Sequence, residues 1–295
     1  TRSDRDWSSD VCSSDLAAQQ LKAFDYEVHY HRVPELDTQA YLALLEQEIE
    51  QGVEAVALVN QRMYDIDAVI RRIEQAGLPY VTFNIDAPES KRCTYIGSDY
   101  SAGGRLAADF IARTLQLSEK KEVLVLQCTE QDLTQAKGPN INNMRLEGFL
   151  DLMNQSFEAI TVHVKYFDTK LQAEEKDNQI LNLVREYRGK VQAMYLIPAF
   201  NTDFLQALET VGVHETITVL HDLDSTALYH LKTRLLSAVI DQSPTLQGYY
   251  TVMSLEKILE SKQQVDLPTI RIDHNLVLTE NRNLIHGLSA ARLMS

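Results

Sequence analysis

The sequence predicts an α/β protein built as two doubly wound, Rossmann-like lobes with parallel sheets. Two observations carry this. Strand-like runs alternate with helical patterns of about ten residues or more along nearly the whole chain, the order that builds parallel sheets covered by helices on both faces. The strands number about ten, too many for one small sheet, and the stretch 117–121 offers a break between two series. A chain of 295 residues is long enough to give each lobe a core of its own.

The elements follow in order. AAQQLKAF (17–24) reads as the end of a helix and EVHYHR (27–32) alternates as a strand. Residues 39–51 carry apolar side chains at helical spacing until Gly52 stops them. VEAVALV (53–59) is a buried strand, and a helix over 65–76 ends before Gly77 and Pro79. PYVTF (79–83) and CTYIG (93–97) are strands, with a helix over 101–115 after them. The second series runs EVLVLQ (122–127), a helix near 142–154, TVHVKYF (161–167), a charged helix over 173–187 and AMYLI (193–197). It continues with a helix over 202–211, TITVL (216–220), a helix over 225–234 and SAVID (237–241). A long helix over 245–259 and a final strand pair, TIRID and LVLTE, close the chain.

This order assigns 16–116 with 244–270 to an N-terminal lobe and 117–243 with 271–295 to a C-terminal lobe. Residues 1–15, TRSDRDWSSDVCSSD, have neither helical nor strand period, lack the apolar stretch of a signal peptide, and resemble translated sequencing-adapter sequence. They are expected to be non-native. Because the alternation opens on a helix, a first strand is expected to be missing, with native sequence continuing upstream of Leu16.

Composition excludes several functions. The net charge of −14 repels phosphate backbones, so these residues are not expected to grip nucleic acid themselves. No apolar run approaches the roughly 18 residues needed to cross a membrane. Cys12, Cys93 and Cys128 form no CxxC or cysteine–histidine cluster, which points away from disulfides and zinc and toward a cytoplasmic location. No GxSxG, HExxH, GxxxxGK[ST] or GxGxxG occurs, so no enzyme and no cofactor is expected. Gly103-Gly104 reads as close helix–sheet packing in preference to a phosphate cradle. His29 and His31 share one strand face without an evident third ligand, so an exposed pair and no metal is expected. His221 and Asp222 are neighbours on a strand and point to opposite faces, which argues against a catalytic dyad.

The informative polar residues fall just beyond strand ends, where open α/β sheets bind ligands. Asn84 and Asp86 follow PYVTF, Ser98-Asp99 follow CTYIG, and Phe200-Asn201 follow AMYLI-Pro-Ala. His221-Asp222 end TITVL, and Asp241-Gln242 end SAVI. Carboxylates accept from hydroxyls, and carboxamides both donate and accept, so the set suits a neutral polyhydroxylated ligand. Arg145, near the start of a helix, adds a forked donor. Phe200 and Tyr64 are candidates to cover a sugar face.

YIGSDYSAGGRLAADFI, NNMRLEGFLDLM, LHDLD and LLSAVIDQSPTLQGYYTVMSL together resemble the type I periplasmic-binding-protein family, across nearly all of 16–295. That family includes sugar-binding components of importers and LacI-type (LacI/GalR) transcription regulators. The resemblance implies ligand hydrogen bonds from Asn84, Asp99, Arg145, Asn201, Asp222 and Gln242, and less directly Asp86. IDAPESKRCTYIGSDY and VLHDLDSTALYHLKTRLLSAVIDQSP look more like regulators, where an Asp-x-Pro-x-Ser-Lys/Arg-Arg turn precedes the strand. The expectation is therefore the effector-binding domain of a LacI-type regulator. It would be a homodimer that closes on a sugar or polyol and reaches operator DNA through a helix-turn-helix absent from this sequence. The alternative is the substrate-binding protein of a sugar ABC importer.

Overall fold

The computed structural model describes residues 26–31, 37–59, 65–115, 119–128, 140–168, 171–198, 201–261 and 267–282. The elements run α1 (Thr38–Glu50), β1 (Val56–Leu58), α2 (Ile66–Gln75), β2 (Tyr80–Phe83), β3 (Thr94–Gly97), α3 (Tyr100–Thr114) and β4 (Lys121–Cys128). Then come α4 (Ile141–Ser156), β5 (Ile160–Phe167), α5 (Ala173–Tyr187), β6 (Ala193–Leu196), α6 (Asn201–Val211) and β7 (Ile217–His221). The run ends with α7 (Ser225–Lys232), β8 (Ala238–Asp241), α8 (Pro244–Ser261), β9 (Ile270–Arg271) and β10 (Asn275–Val277). The helix starts have a local cause. Asp37, Asp65, Asp99, Asn140 and Asp224 each turn a side-chain oxygen onto a backbone N–H of the first turn, meeting donors the helix cannot satisfy itself.

Two compact units result. One holds the chain up to Ser98 and Ser243–Asp273; the other holds Asn140–Gln242, the stretch from Asp99 and the chain from His274. The first carries a sheet in the order β1-β2-β3-β9, all parallel. Leu58 and Tyr80 pack with Val69, Ile70 and Ile73 of α2 on one face, while Val81 and Ile96 pack with Ile258 of α8 on the other. The second carries the order β10-β8-β7-β6-β4-β5, parallel except where β10 runs against β8. Along β4, Leu124 and Leu126 join one cluster and Val123 and Val125 the other, so period-two alternation buries both faces. That is why the strands read as continuous apolar runs. The α/β class with parallel-dominated sheets is as the sequence predicts.

Three details differ from the sequence reading. TIRID and LVLTE do not pair with each other: β9 joins β3 in the first sheet, and β10 joins β8 in the second. Residues 27–31 of the expected strand 27–32 are not in a sheet, and they alternate only as far as His29, since His29, Tyr30 and His31 are all exposed. Helix α3 belongs to the second unit, although the break at 117–121 would place it in the first. Its packing supplies the reason. A Cβ on Gly104 would lie 1.9 Å from the Arg145 carbonyl oxygen, and one on Gly148 would lie 2.1 Å from that of Ser101. Gly104 and Gly148 let α3 and α4 meet backbone to backbone, while a Cβ on Gly103 would lie 2.8 Å from His274 Nε2, just before β10, so only Gly104 of the glycine pair serves helix–helix packing.

Candidate functional site

The second sheet reverses its winding between β4 and β6, because β5 lies on one side of β4 and β6, β7 and β8 on the other. A doubly wound sheet opens a crevice at such a point, beyond the carboxyl ends of the strands. Arg145 stands there, on the second turn of α4, only 3% exposed. Its Nη1 donates to the Ile197 carbonyl just past β6, at 3.2 Å. Its Nη2 lies 3.7 Å from Asp222 Oδ1, and its guanidinium sits 5.6 Å from the Tyr100 ring centroid. Nε has no hydrogen-bond partner among the described residues. A buried guanidinium carries a heavy desolvation cost unless its donors are met, so this donor has unused capacity for an oxygen.

Asp222 directly follows β7 and adopts a left-handed backbone, φ 68. Its N–H donates to Ile240 O, and Gln242 Nε2 donates to its Oδ1 at 2.9 Å. Among the described residues, three of the four non-glycine residues at positive φ, Asn84, Asp222 and Ser243, sit just beyond β2, β7 and β8. Asn and Asp tolerate this conformation best, and such backbone settings gather at ligand sites.

Beneath Arg145 lies a layer that sequence reasoning missed. His221 closes β7 wholly buried and shares a 2.6 Å hydrogen bond with the Tyr195 hydroxyl. Burial first, then the positive Arg145 and the nearby His274, hold the His221 imidazole well below its ordinary range, so it is neutral. Burial likewise pushes the Tyr195 phenol up. Tyr195 stacks on Phe149 at 4.8 Å, and the layer is a buried, uncharged floor. Gln127, at the end of β4, is also fully buried; its Oε1 accepts the Cys128 N–H, while Nε2 has no hydrogen-bond partner among the described residues. Opposite faces for His221 and Asp222 were expected, and their partners, Tyr195 against Arg145 and Gln242, differ accordingly.

The other predicted residues are distributed as follows. Asn84 is fixed through its backbone: its N–H donates to Ile96 O, and its carbonyl accepts the Tyr95 hydroxyl at 2.6 Å. Gly97 makes this possible, since a Cβ there would lie 2.1 Å from the Tyr95 oxygen. Asp86 accepts from Thr82 Oγ1 and the Ala87 N–H, and pairs with Arg92, so its oxygens are engaged within the turn. Asp99 caps α3 through the Ala102 N–H and is exposed. Asn201 begins α6. Phe200 and Tyr64 lie outside the described residues. The structure thus brings Arg145, Asp222 and Gln242 together in the second unit, and places Asn84 and Asp86 in the first.

The profile of a family described as periplasmic binding protein domain matches residues 9–263. The ribose import binding protein RbsB of Bacillus subtilis is 26% identical over 222 residues, covering 74% of this chain and 67% of its own length. The chain therefore spans about two thirds of that relative. Among solved structures, the arabinose-binding protein AraP of Geobacillus stearothermophilus superposes with TM-score 0.77 at 18% identity, over 95% of this chain and 94% of its own. A protein of Bacteroides fragilis assigned as a LacI transcriptional regulator gives TM-score 0.77 at 16% identity, over 94% and 93%. At these identities the superpositions speak for the fold.

Proposed function

Since this chain belongs to the periplasmic binding protein domain family, we propose that it binds a monosaccharide or similar neutral polyol, as the sugar-recognition component of an importer. One observation carries the reading: Arg145 and Asp222 are held together at the switch point of the second sheet, with Gln242 bonded to the carboxylate. Guanidinium and carboxylate cancel in charge, which favours a neutral ligand over an anion or a cation. A sugar hydroxyl can accept from Arg145 while donating to Asp222, and such chained hydrogen bonds strengthen one another. The matched relatives are binding proteins rather than enzymes.

The importer reading replaces the regulator as the first choice because the curated relative is an import binding protein. The regulator remains the second reading, on the IDAPESKR turn and on the fold shared with the Bacteroides fragilis protein. It would place the chain in the cytoplasm, as a homodimer contacting operator DNA through a further segment. Within the turn, Asp86 accepts from Thr82 and Arg92, local contacts that bear on neither reading.

Calorimetric titration with D-ribose, D-arabinose, D-allose and D-galactose tests the proposal. At least one should bind, and Arg145→Ala and Asp222→Ala should each weaken it by about 30- to 1,000-fold, the equivalent of losing on the order of 2–4 kcal/mol. Binding that survives both substitutions unchanged would remove this site from the reading.

A further inference from the structure

We propose that His29, His31 and Glu48 form a surface site for a divalent zinc-like ion in the first unit, independent of the sugar-binding residues. The sequence offers two histidines with no third ligand in sight, and the fold supplies it. Residues 26–31 run alongside α1 and α8, with Tyr30 exposed. Tyr26 and Val28 pack with Val252, Tyr249 and Met253 of α8, which leaves Glu27, His29 and His31 exposed. Glu48, on the last turn of α1, meets both imidazoles: His29 Nδ1 lies 2.9 Å from Oε2, and His31 Nε2 lies 2.8 Å from Oε1. The candidate ligand atoms all fall within 4.8 Å of one another.

Three features favour an ion over a bare hydrogen-bonded cluster. Glu48 is a buried carboxylate, with its side chain 12% exposed, and a buried negative charge requires a cation or donors close by. The donors are two imidazole nitrogens and a carboxylate oxygen, the borderline set that zinc takes in three-ligand sites with a further position left to water. The histidine side chains are 43% and 36% exposed, so that position has an entry path. The fourth neighbour fits as well. Glu27 Oε1 lies 3.5 Å from His29 Nε2, the ring nitrogen facing away from Glu48, so a metal on Nδ1 would leave Nε2–H pointing at a carboxylate. Tetrahedral ligands about 2.0–2.1 Å from zinc stand roughly 3.3 Å apart, so the two histidine–carboxylate distances would open by about half an ångström and the widest pair, within 4.8 Å, would close by about 1.5 Å at most, within the reach of side-chain rotation. The ion would then clamp the 26–31 segment to α1.

The test uses untagged protein stripped with a chelator and titrated with zinc chloride by calorimetry, and with cobalt(II) as an absorbing probe of geometry. One equivalent should bind in about the micromolar range or tighter and should raise the melting temperature. His29→Ala, His31→Ala and Glu48→Gln should each weaken binding by at least about tenfold, since even an outer partner of a metal ligand is worth on the order of 10- to 100-fold. The exposed histidine variants keep the test decisive should Glu48→Gln fold poorly. No binding tighter than about 100 μM, or one equivalent retained equally by both histidine variants, would overturn the site. In the second case the zinc belongs elsewhere on the chain. Sugar affinity unaltered in His31→Ala separates this inference from the proposed function.

Discussion

Arg145 was legible as a candidate because it is a lone arginine at the start of a helix following a strand. Its floor was not legible. Tyr195 and His221 are 26 positions apart and meet only because β6 and β7 pair in the register Tyr195↔Val219, which places the two side chains within bonding reach. Gln127 is similar: in sequence it is one more residue of an apolar run, and only its full burial marks it. The strand-end residues Asn84 and Asp222 could be read from their place just beyond a strand, and the left-handed backbone found there is one that Asn and Asp tolerate. Asp86 shows the opposite case, a strand-end carboxylate whose bonds lie within its own turn. The buried imidazole gives a pH prediction. His221 titrates from the ordinary 6.5 when unfolded but well below it when folded, so below about pH 6.5 the unfolded chain binds a proton that the folded chain refuses. Its contribution is therefore intact above that pH and is lost as the pH falls toward the folded value. In thermal unfolding across this window, His221→Asn, whose amide can still meet Tyr195, should lose stability with acid less steeply than the parent. Parallel slopes would mean His221 is protonated in the fold.

Most elements could be read from period alone because both faces of each sheet are covered, which leaves strands apolar throughout and helices striped. What could not be read was which element meets which. The terminal strands β9 and β10 look like neighbours in sequence yet close different sheets. Gly103-Gly104 signalled a close approach without naming the partners, which prove to be α4 for Gly104 and His274, just before β10, for Gly103. That contact yields a prediction at the element scale. Gly104→Ala would drive a methyl into the Arg145 carbonyl, and Gly148→Ala would drive one into that of Ser101, both backbone atoms with no freedom to swing aside. Overpacking of this kind costs about 1–3 kcal/mol and in tight cases more. Because the first clash lies on Arg145 itself, Gly104→Ala should also weaken sugar binding, whereas Gly148→Ala should act mainly on stability. Denaturant midpoints alongside sugar titrations separate the two, and unchanged midpoints in both variants would contradict the close packing of α3 on α4.

At the scale of the whole molecule the dominant property is charge. The chain carries 42 acidic and 28 basic residues, a net −14. A neutral sugar is indifferent to that field, since its recognition rests on local hydrogen bonds inside a partly buried site. A polyanion is not. Nucleic-acid binding draws its affinity from lysines and arginines that displace condensed counterions, and a surface of the opposite sign repels the duplex at long range. Several of the basic residues are also committed to acidic partners: Arg72 to Glu46, Arg92 to Asp86, Arg113 to Asp109, Arg145 to Asp222, Lys176 to Asp203 and Arg234 to Glu280. In the regulator reading, operator contact would accordingly come from a separate helix-turn-helix, with these 295 residues supplying only the ligand-responsive part. The chain as it stands should therefore show no duplex binding tighter than the non-specific range of about 10⁻⁴ M at physiological salt. Fluorescence anisotropy of a labelled random duplex, titrated with the protein with and without the sugar identified by calorimetry, measures this directly. Sub-micromolar binding that weakens steeply as salt is raised would reveal a basic surface that the charge balance conceals, and would move the regulator ahead of the importer.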